Sequence, residues 1–226
     1  MLIYAYLAFM AKDQQTEARI LKAAQRVFTR DGMAGARTED IAAEAGVNRA
    51  LINYYFRSRD NLARAVFLEA AGAFFPAIMG TLAGEQELEA KIHSAVDLIH
   101  DTMSRTPYLP LYVLAELQYH PEKLKSTLRE RLAPDERRRE AFARLQDQLD
   151  REAAAGRIRP TQAIDLQLLL VSLLVFPFAA SGMIDVLLGI SPTDQEALRL
   201  RRKKEMAGFI LRGLAPDATA PNSEAS

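Results

Sequence analysis

Between Thr38 and Leu62 the chain reads TEDIAAEAGVNRALINYYFRSRDNL, and a single glycine, Gly46, leaves this stretch few ways to fold. Thr38 offers a hydroxyl suited to capping a helix, and Glu39 and Asp40 follow where acids suit the positive end of a helix dipole. A short helix is therefore predicted from Thr38, with Ile41, Ala42 and Ala45 as its apolar stripe. Gly46 can adopt the left-handed conformation that stops a helix and turns the chain sharply. Asn48 then caps a second helix from Arg49 to about Phe56, in which Ile52 and Phe56 stand four residues apart and share the buried face.

The opposite face of that second helix carries the chemistry. Arg49, Ala50, Leu51, Asn53 and Tyr54 point outward. An arginine can fork onto guanine, an amide can pair with adenine, and a small apolar side chain can meet a thymine methyl, so the face suits a DNA major groove. A glycine-joined helix pair alone is common in helical proteins. Here Tyr54-Tyr55-Phe56-Arg57-Ser58-Arg59-Asp60-Asn61-Leu62 follows directly, Arg19-Ile20-Leu21-Lys22-Ala23-Ala24, Val27-Phe28 and Asp31-Gly32 precede it, and Thr38, Asp40, Ile41 and Ala42 open the pair. Over roughly residues 16 to 67 this order closely resembles the TetR/AcrR family of bacterial transcriptional regulators.

The resemblance implies a three-helix helix-turn-helix domain followed by a larger helical domain that binds a small-molecule effector and forms a homodimer. It also implies roles. Thr38, Tyr55 and Arg59 would hold backbone phosphates of double-stranded operator DNA, while Arg49, Ala50 and Asn53 would approach bases. Lysine is more usual at the position of Arg59, and a small or hydroxyl residue at that of Leu51, so Leu51 is where base contacts would depart from the family habit.

Charge supports a reader of placed contacts rather than a general polyanion binder. The formal net charge is +0, and from Lys12 to Glu69 ten Lys/Arg stand against eight Asp/Glu. The absence of cysteine excludes disulfides, thiolate metal ligands and a cysteine nucleophile, and fits a reducing, cytoplasmic setting. The opening MLIYAYLAFM is apolar, lacks a basic flank and a cleavage site, and is too short to span a bilayer. Residues 1–11 are read as an extension, either disordered or ahead of a working start at Met10, with a peripheral arm as the alternative.

The predicted organisation is all-α: the reader over residues 12–59, a regulatory and dimerisation domain over 60–215, and a disordered tail over 216–226. Predicted helices run from about Asp60 to Leu82, Glu85 to Arg105, Tyr108 to Tyr119, Glu122 to Leu132, Asp135 to Ala155, Ile164 to Leu188 and Thr193 to Leu214. Leu166 to Ile184 is nineteen residues without a charge, long enough for a membrane span. Gln167, Ser172, Pro177 and Ser181 interrupt it, and basic residues do not gather beside it, so a buried helix is the reading and a membrane contact is not expected. The family resemblance places the homodimer interface on Leu166–Leu188 and Thr193–Leu214, with Arg199, Arg201, Arg202, Lys203 and Lys204 on a solvated or rim face.

Two further readings concern chemistry in the larger domain. Glu89, His93, Asp97 and His100 share one flank of a helix, a spacing compatible with a metal site. The adjoining Leu88, Ile92, Val96, Ile99 and Met103 form an ordinary core stripe, and no nucleophile with a placed base and no phosphate loop accompanies the flank. The expectation is accordingly no enzyme, no metal and no cofactor, with a helical metal-dependent enzyme or a membrane-associated adaptor as the competing class. A small-molecule pocket would be apolar with a few polar groups. His100, Met103, Tyr108, Tyr112 and Phe176 are the candidate lining, with His100 and Tyr108 as the polar contacts.

Overall fold

A computed structural model describes the backbone of residues 2–131 and 134–216, and side chains from Asp13 onward except Lys123, Thr127, Glu130, Arg131 and Pro192. Among the described residues every regular element is helical. The order is α1 (Leu2–Gly35), α2 (Thr38–Ala45), α3 (Arg49–Phe56), α4 (Arg59–Ala83), α5 (Leu88–Arg105), α6 (Leu109–Tyr119), α7 (Pro121–Arg131), α8 (Asp135–Ala154), α9 (Ala163–Ala179), α10 (Ser181–Leu188) and α11 (Pro192–Leu214). The tail expected over 216–226 lies outside the described residues from 217 onward. The extension expected before residue 12 has helical backbone from Leu2 and forms the first part of α1.

The chain divides into two compact units, one of residues 1–74 and 105–131, the other of residues 75–104 and 132–226. The division expected at residue 60 is therefore displaced. The cause is burial: Leu62, Ala63, Val66 and Phe67 of α4 are core residues of the first unit, so the helix that leaves the reader is packed as part of it. In that unit α1 contributes Ile20, Ala23, Ala24, Val27 and Phe28, all fully buried, against Ile41, Ala42 and Ala45 of α2 and Ile52 and Phe56 of α3. The Phe28 ring meets Tyr108 at 5.7 Å and Phe67 meets Tyr112 at 5.4 Å, which brings the start of α6 into the same unit.

The second unit is built from stripes at helical spacing. Leu88, Ile92, Val96, Ile99 and Met103 of α5 are buried as expected, with Leu145 and Leu149 of α8, Leu166, Leu170, Leu174 and Phe178 of α9, and Met206, Ala207, Ile210 and Leu214 of α11. The α9 N-terminus has no cap of its own, and Gln146 of α8 substitutes by accepting from the Ala163 N–H at 2.8 Å.

One charged group breaks the apolar pattern. Lys91 is 1% exposed and its ammonium donates to Gln148 Oε1, whose amide in turn donates to the Gln86 carbonyl at 2.9 Å. Burial, helped by nearby Arg151, holds Lys91 below its ordinary 10.5. The unfolded chain then binds this proton more tightly, so this contribution to stability rises with pH from the depressed folded value up to 10.5. Lys91→Met is expected to flatten that rise, read from denaturant midpoints across the alkaline range.

The helix predicted from Ile164 to Leu188 is two helices. α9 and α10 meet at Ala180 with a bend of 71°, so the nineteen-residue apolar run is not a straight span. Within α9, Pro177 has no N–H to give the Leu173 carbonyl, while the break itself lies three residues further on, at Ala180. Arg202 of α11 supplies the missing donor, its Nη2 lying 2.7 Å from the Leu173 oxygen. Arg202→Met keeps the aliphatic stem but orphans that carbonyl, and is expected to cost about 1–3 kcal/mol in chemical denaturation. By length and composition α4 is apolar enough to cross a membrane.

The basic run on α11, expected on a solvated or rim face, is partly engaged within its own unit. Arg199 pairs with Glu196 at 2.9 Å and lies 5.9 Å from the Phe178 ring centre, Arg202 holds Leu173, and Lys203 donates to Asp101 at 2.6 Å. The Lys203 contact holds the Asp101 carboxyl below its ordinary value and raises the Lys203 ammonium. Only Arg201 and Lys204 of the five are exposed without such a described contact.

Candidate nucleic-acid interface

The turn between α2 and α3 follows from local chemistry. Gly46 has φ 63°, its N–H returns to the carbonyls of Ala42 and Ala43, and the Val47 N–H also reaches Ala42 at 3.0 Å. A contribution from outside the pair completes the stop. Arg19 of α1 donates to the Ala45 carbonyl at 2.7 Å and the Gly46 carbonyl at 3.3 Å, placing a cation at the negative end of α2. A side chain at Gly46 would need a positive φ and would bring its Cβ to 3.2 Å from that guanidinium.

Asn48 caps α3 as expected, its side chain accepting from the Leu51 N–H at 2.9 Å. Thr38 does not cap α2. It is the first helical residue, and the cap position belongs to Arg37, which is extended and makes no side-chain capping bond. The consequence is an open helix start, with the Thr38 hydroxyl half-buried inside the first turn rather than spent on it.

α3 buries Ile52 and Phe56 and turns Arg49, Ala50, Asn53 and Tyr54 to solvent, Tyr54 being 62% exposed. Leu51 is half-buried rather than fully outward, since it sits at the shoulder between the two faces. Three expected DNA contacts hold partners within the same unit. Arg49 Nη1 lies 2.7 Å from Glu39, Tyr55 donates its hydroxyl to Asp13 at 2.5 Å, and Arg59 Nε donates to the Ala36 carbonyl at 3.0 Å. Arg59 Nη2 is buried without a hydrogen-bond partner. The Asp13 carboxylate, opposed by Thr16, pushes the Tyr55 phenol above its ordinary range.

The exit from α3 is a strained corner. Arg57 has φ 65° and ψ −39°, and the Ser58 N–H closes onto the Phe56 carbonyl at 2.7 Å, a three-residue turn that side-chain-bearing residues seldom adopt. Ser58 Oγ then accepts from the Asn61 N–H at 3.1 Å and starts α4.

The candidate ligand residues divide between the two units. Tyr108 and Tyr112 belong to the first unit, His100, Met103 and Phe176 to the second. His100 is buried and already satisfied, Nε2 standing 3.1 Å from the Arg199 carbonyl and Nδ1 3.5 Å from Ser104 Oγ. Met103 is core and Phe176 is exposed. Tyr108 differs: it is buried with its hydroxyl unpartnered, and burial raises its phenol, as it does that of Tyr112. The Glu89, His93, Asp97 and His100 flank does not converge, Asp97 lying 3.7 Å from Lys203, and no three such side chains group for a metal among the described residues.

A glycine-stopped helix pair on a packed three-helix core, with an arginine and an amide turned outward, has the form of a helix-turn-helix. Residues 20–66 match the family model described as bacterial regulatory proteins, tetR family. That match covers the reader, from α1 to the first turns of α4, and not the rest of the chain. An HTH-type transcriptional repressor of Streptomyces coelicolor is 46% identical over 57 residues, which are 25% of this chain and 30% of that protein. The HTH-type transcriptional regulator SrpR of Pseudomonas putida is 27% identical over 95 residues, 42% of this chain and 45% of its own. The chain thus spans less than half the length of these two curated relatives.

Solved structures extend the likeness of fold. The hemolysin II transcriptional regulator HlyIIR aligns over 91% of this chain and 99% of its own with a TM-score of 0.55 at 18% identity. FadR of Bacillus subtilis, solved with stearoyl-CoA, aligns over 87% and 98% with a TM-score of 0.56 at 16% identity.

Asp13, Arg19, Glu39 and Arg57 were not singled out from the sequence as partners or strain points of the reader. Arg19 stood within the family motif, but its target carbonyls lie 26 and 27 positions away. Asp13 lies 42 positions from Tyr55, and no local pattern points from one to the other.

Proposed function

We propose that this chain is a dimeric, ligand-responsive transcriptional regulator that represses from a palindromic operator and is released by a small molecule, working in the cytoplasm and not as an enzyme. The outward face of α3 carries the reading: Arg49, Ala50 and Asn53 stand exposed on a helix that Ile52 and Phe56 lock to the core. Two copies related by a twofold axis would place their α3 helices in successive major grooves, about 34–36 Å apart. Thr38, Tyr55 and Arg59 would turn to backbone phosphates, and the open start of α2 favours an anion there.

The dimer reading is supported by apolar surface that one copy leaves uncovered. Ile164, Leu168 and Val171 form a second stripe on α9, opposite its buried one, and α10 exposes Met183, Val186, Leu187 and Leu188, with Val186 84% exposed. These lie within the expected interface segments, as do Leu200 and Phe209 of α11. Selection of bound duplexes from a random pool, followed by footprinting, tests the function. A sharp palindromic site is expected. A folded protein that enriches no sequence, or that stays monomeric at micromolar concentration, would overturn the reading.

For the effector, an apolar molecule carrying a hydrogen-bonding group fits the buried Tyr108 hydroxyl. The stearoyl-CoA complex of the similar fold shows that such a fold can hold an acyl chain in that protein. Tyr108→Phe removes an unsatisfied buried hydroxyl, so the free protein is expected to melt at the same temperature or higher, with a gain of up to about 1 kcal/mol. Release from the operator by a ligand found in screening should weaken in the same variant. An effector would act by favouring the state in which α4 no longer sets the readers at operator spacing.

A further inference from the structure

Two donors assigned to DNA are occupied by carboxylates in the free protein. Arg49 Nη1 is on Glu39 Oε1 at 2.7 Å, and the Tyr55 hydroxyl is on Asp13 Oδ1 at 2.5 Å. Glu39 stands in the first turn of α2, where the helix start is open, and Asp13 lies in α1 ahead of the stretch that the family model matches. Both acids therefore hold donors that an incoming phosphate or base edge would need.

The donor inventory makes the conflict sharp at Tyr55. A phenol has one O–H and can give it to one acceptor at a time. A phosphate oxygen can take that proton only after Asp13 has lost it, and the carboxylate left behind is a like charge close to the phosphate. Arg49 has five N–H donors, so Glu39 does not exhaust it, but the fork that would address guanine carries a neutralising partner on one arm.

We infer that Asp13 and Glu39 are internal competitors of DNA for the Tyr55 hydroxyl and the Arg49 guanidinium, and that they hold the reader's affinity below what its contacts alone would give. This rests on the assignment of α3 as a DNA reader. The competition favours discrimination, because duplexes that cannot repay the loss of both carboxylate contacts are released.

The test uses the full-length protein and a duplex taken from the selected pool, with affinity read by fluorescence anisotropy at fixed salt. Asp13→Ala and Glu39→Gln are each expected to tighten binding by the dimer about three- to tenfold, the order set by two exposed or half-exposed charged contacts per complex. Binding to an unrelated duplex should tighten at least as much, so the ratio of specific to unrelated affinity falls or stays level. Asp40→Asn, which neutralises the neighbouring acid of the same turn, measures the effect of removing one negative charge near DNA, and the gain at Glu39 must exceed it. In a Tyr55→Phe background the gain from Asp13→Ala should shrink to no more than the charge effect that Asp40→Asn measures, since no hydroxyl remains to be released.

Weaker binding after Asp13→Ala or Glu39→Gln, with an unchanged melting temperature, would make these acids positioning groups and overturn the inference. So would a gain from Asp13→Ala that is as large in Tyr55→Phe as in the wild type. A wild-type protein that is folded and dimeric yet enriches no duplex would instead remove the DNA-reader assignment itself, an outcome distinct from either of these.

Discussion

Alanine at Arg49 is expected to weaken binding of the selected operator about a hundredfold or more, because each bidentate arginine–guanine contact discriminates by about 1–3 kcal/mol and a dimer loses two. The guanidinium is exposed and its pair with Glu39 is a surface ion pair, worth little to folding. Melting temperature should hardly move, which separates a lost contact from a lost fold. Repeating the duplex selection with the variant should relax one base position in each half-site while leaving the rest of the site recognisable. Full affinity with the original site preference would show that α3 does not read bases through Arg49.

The second large effect is on stability. Phe28→Ala removes a fully buried ring that packs on Tyr108 and sits among the α1 residues covering α2. The loss is expected to be about 3–5 kcal/mol. Against a total of roughly 5–15 kcal/mol this is a large share, and the melting temperature should fall by about 10 °C or more. The variant should still bind operator at low temperature and lose binding along its melting curve, because Phe28 itself makes no outward contact. Circular dichroism and anisotropy recorded on the same samples would show whether the two losses coincide.

The reader was legible where its chemistry is local. The Gly46 stop, the Asn48 cap and the Ile52 and Phe56 face follow from residues within a few positions of one another, and α3 has the predicted bounds. Expectations slipped by one position at a helix boundary, and distant partners stayed hidden. Thr38 was expected to cap α2, yet the chain is extended only to Arg37, so the hydroxyl begins one position inside the helix. Arg49, Tyr55 and Arg59, the residues expected at DNA, each have an acceptor elsewhere in the unit, 10, 42 and 23 positions away.

The larger domain shows the same limit. Apolar periodicity located the α5 stripe, because burial on one helix face leaves a repeating signature. It could not show that Tyr108 and Tyr112 join one unit and His100, Met103 and Phe176 the other, since which unit a helix end joins is set by packing across long separations. The run from Leu166 gave a helix of the right place but wrong straightness. Pro177 alone can be tolerated within a helix, and the donor that satisfies the bend arrives from Arg202, 29 positions beyond Leu173.

That separation has a consequence for biosynthesis. The ribosome makes residues 166–188 before Arg202 exists, so for a time the Leu173 carbonyl has no guanidinium to meet and α11 is not there to pack. A chain halted in this interval carries an uncovered apolar segment with a backbone acceptor open at its centre, a combination that invites association with other chains. Truncation just before residue 202 is therefore expected to be more damaging to yield than its short length suggests, with the product recovered in aggregates rather than as a shortened soluble protein.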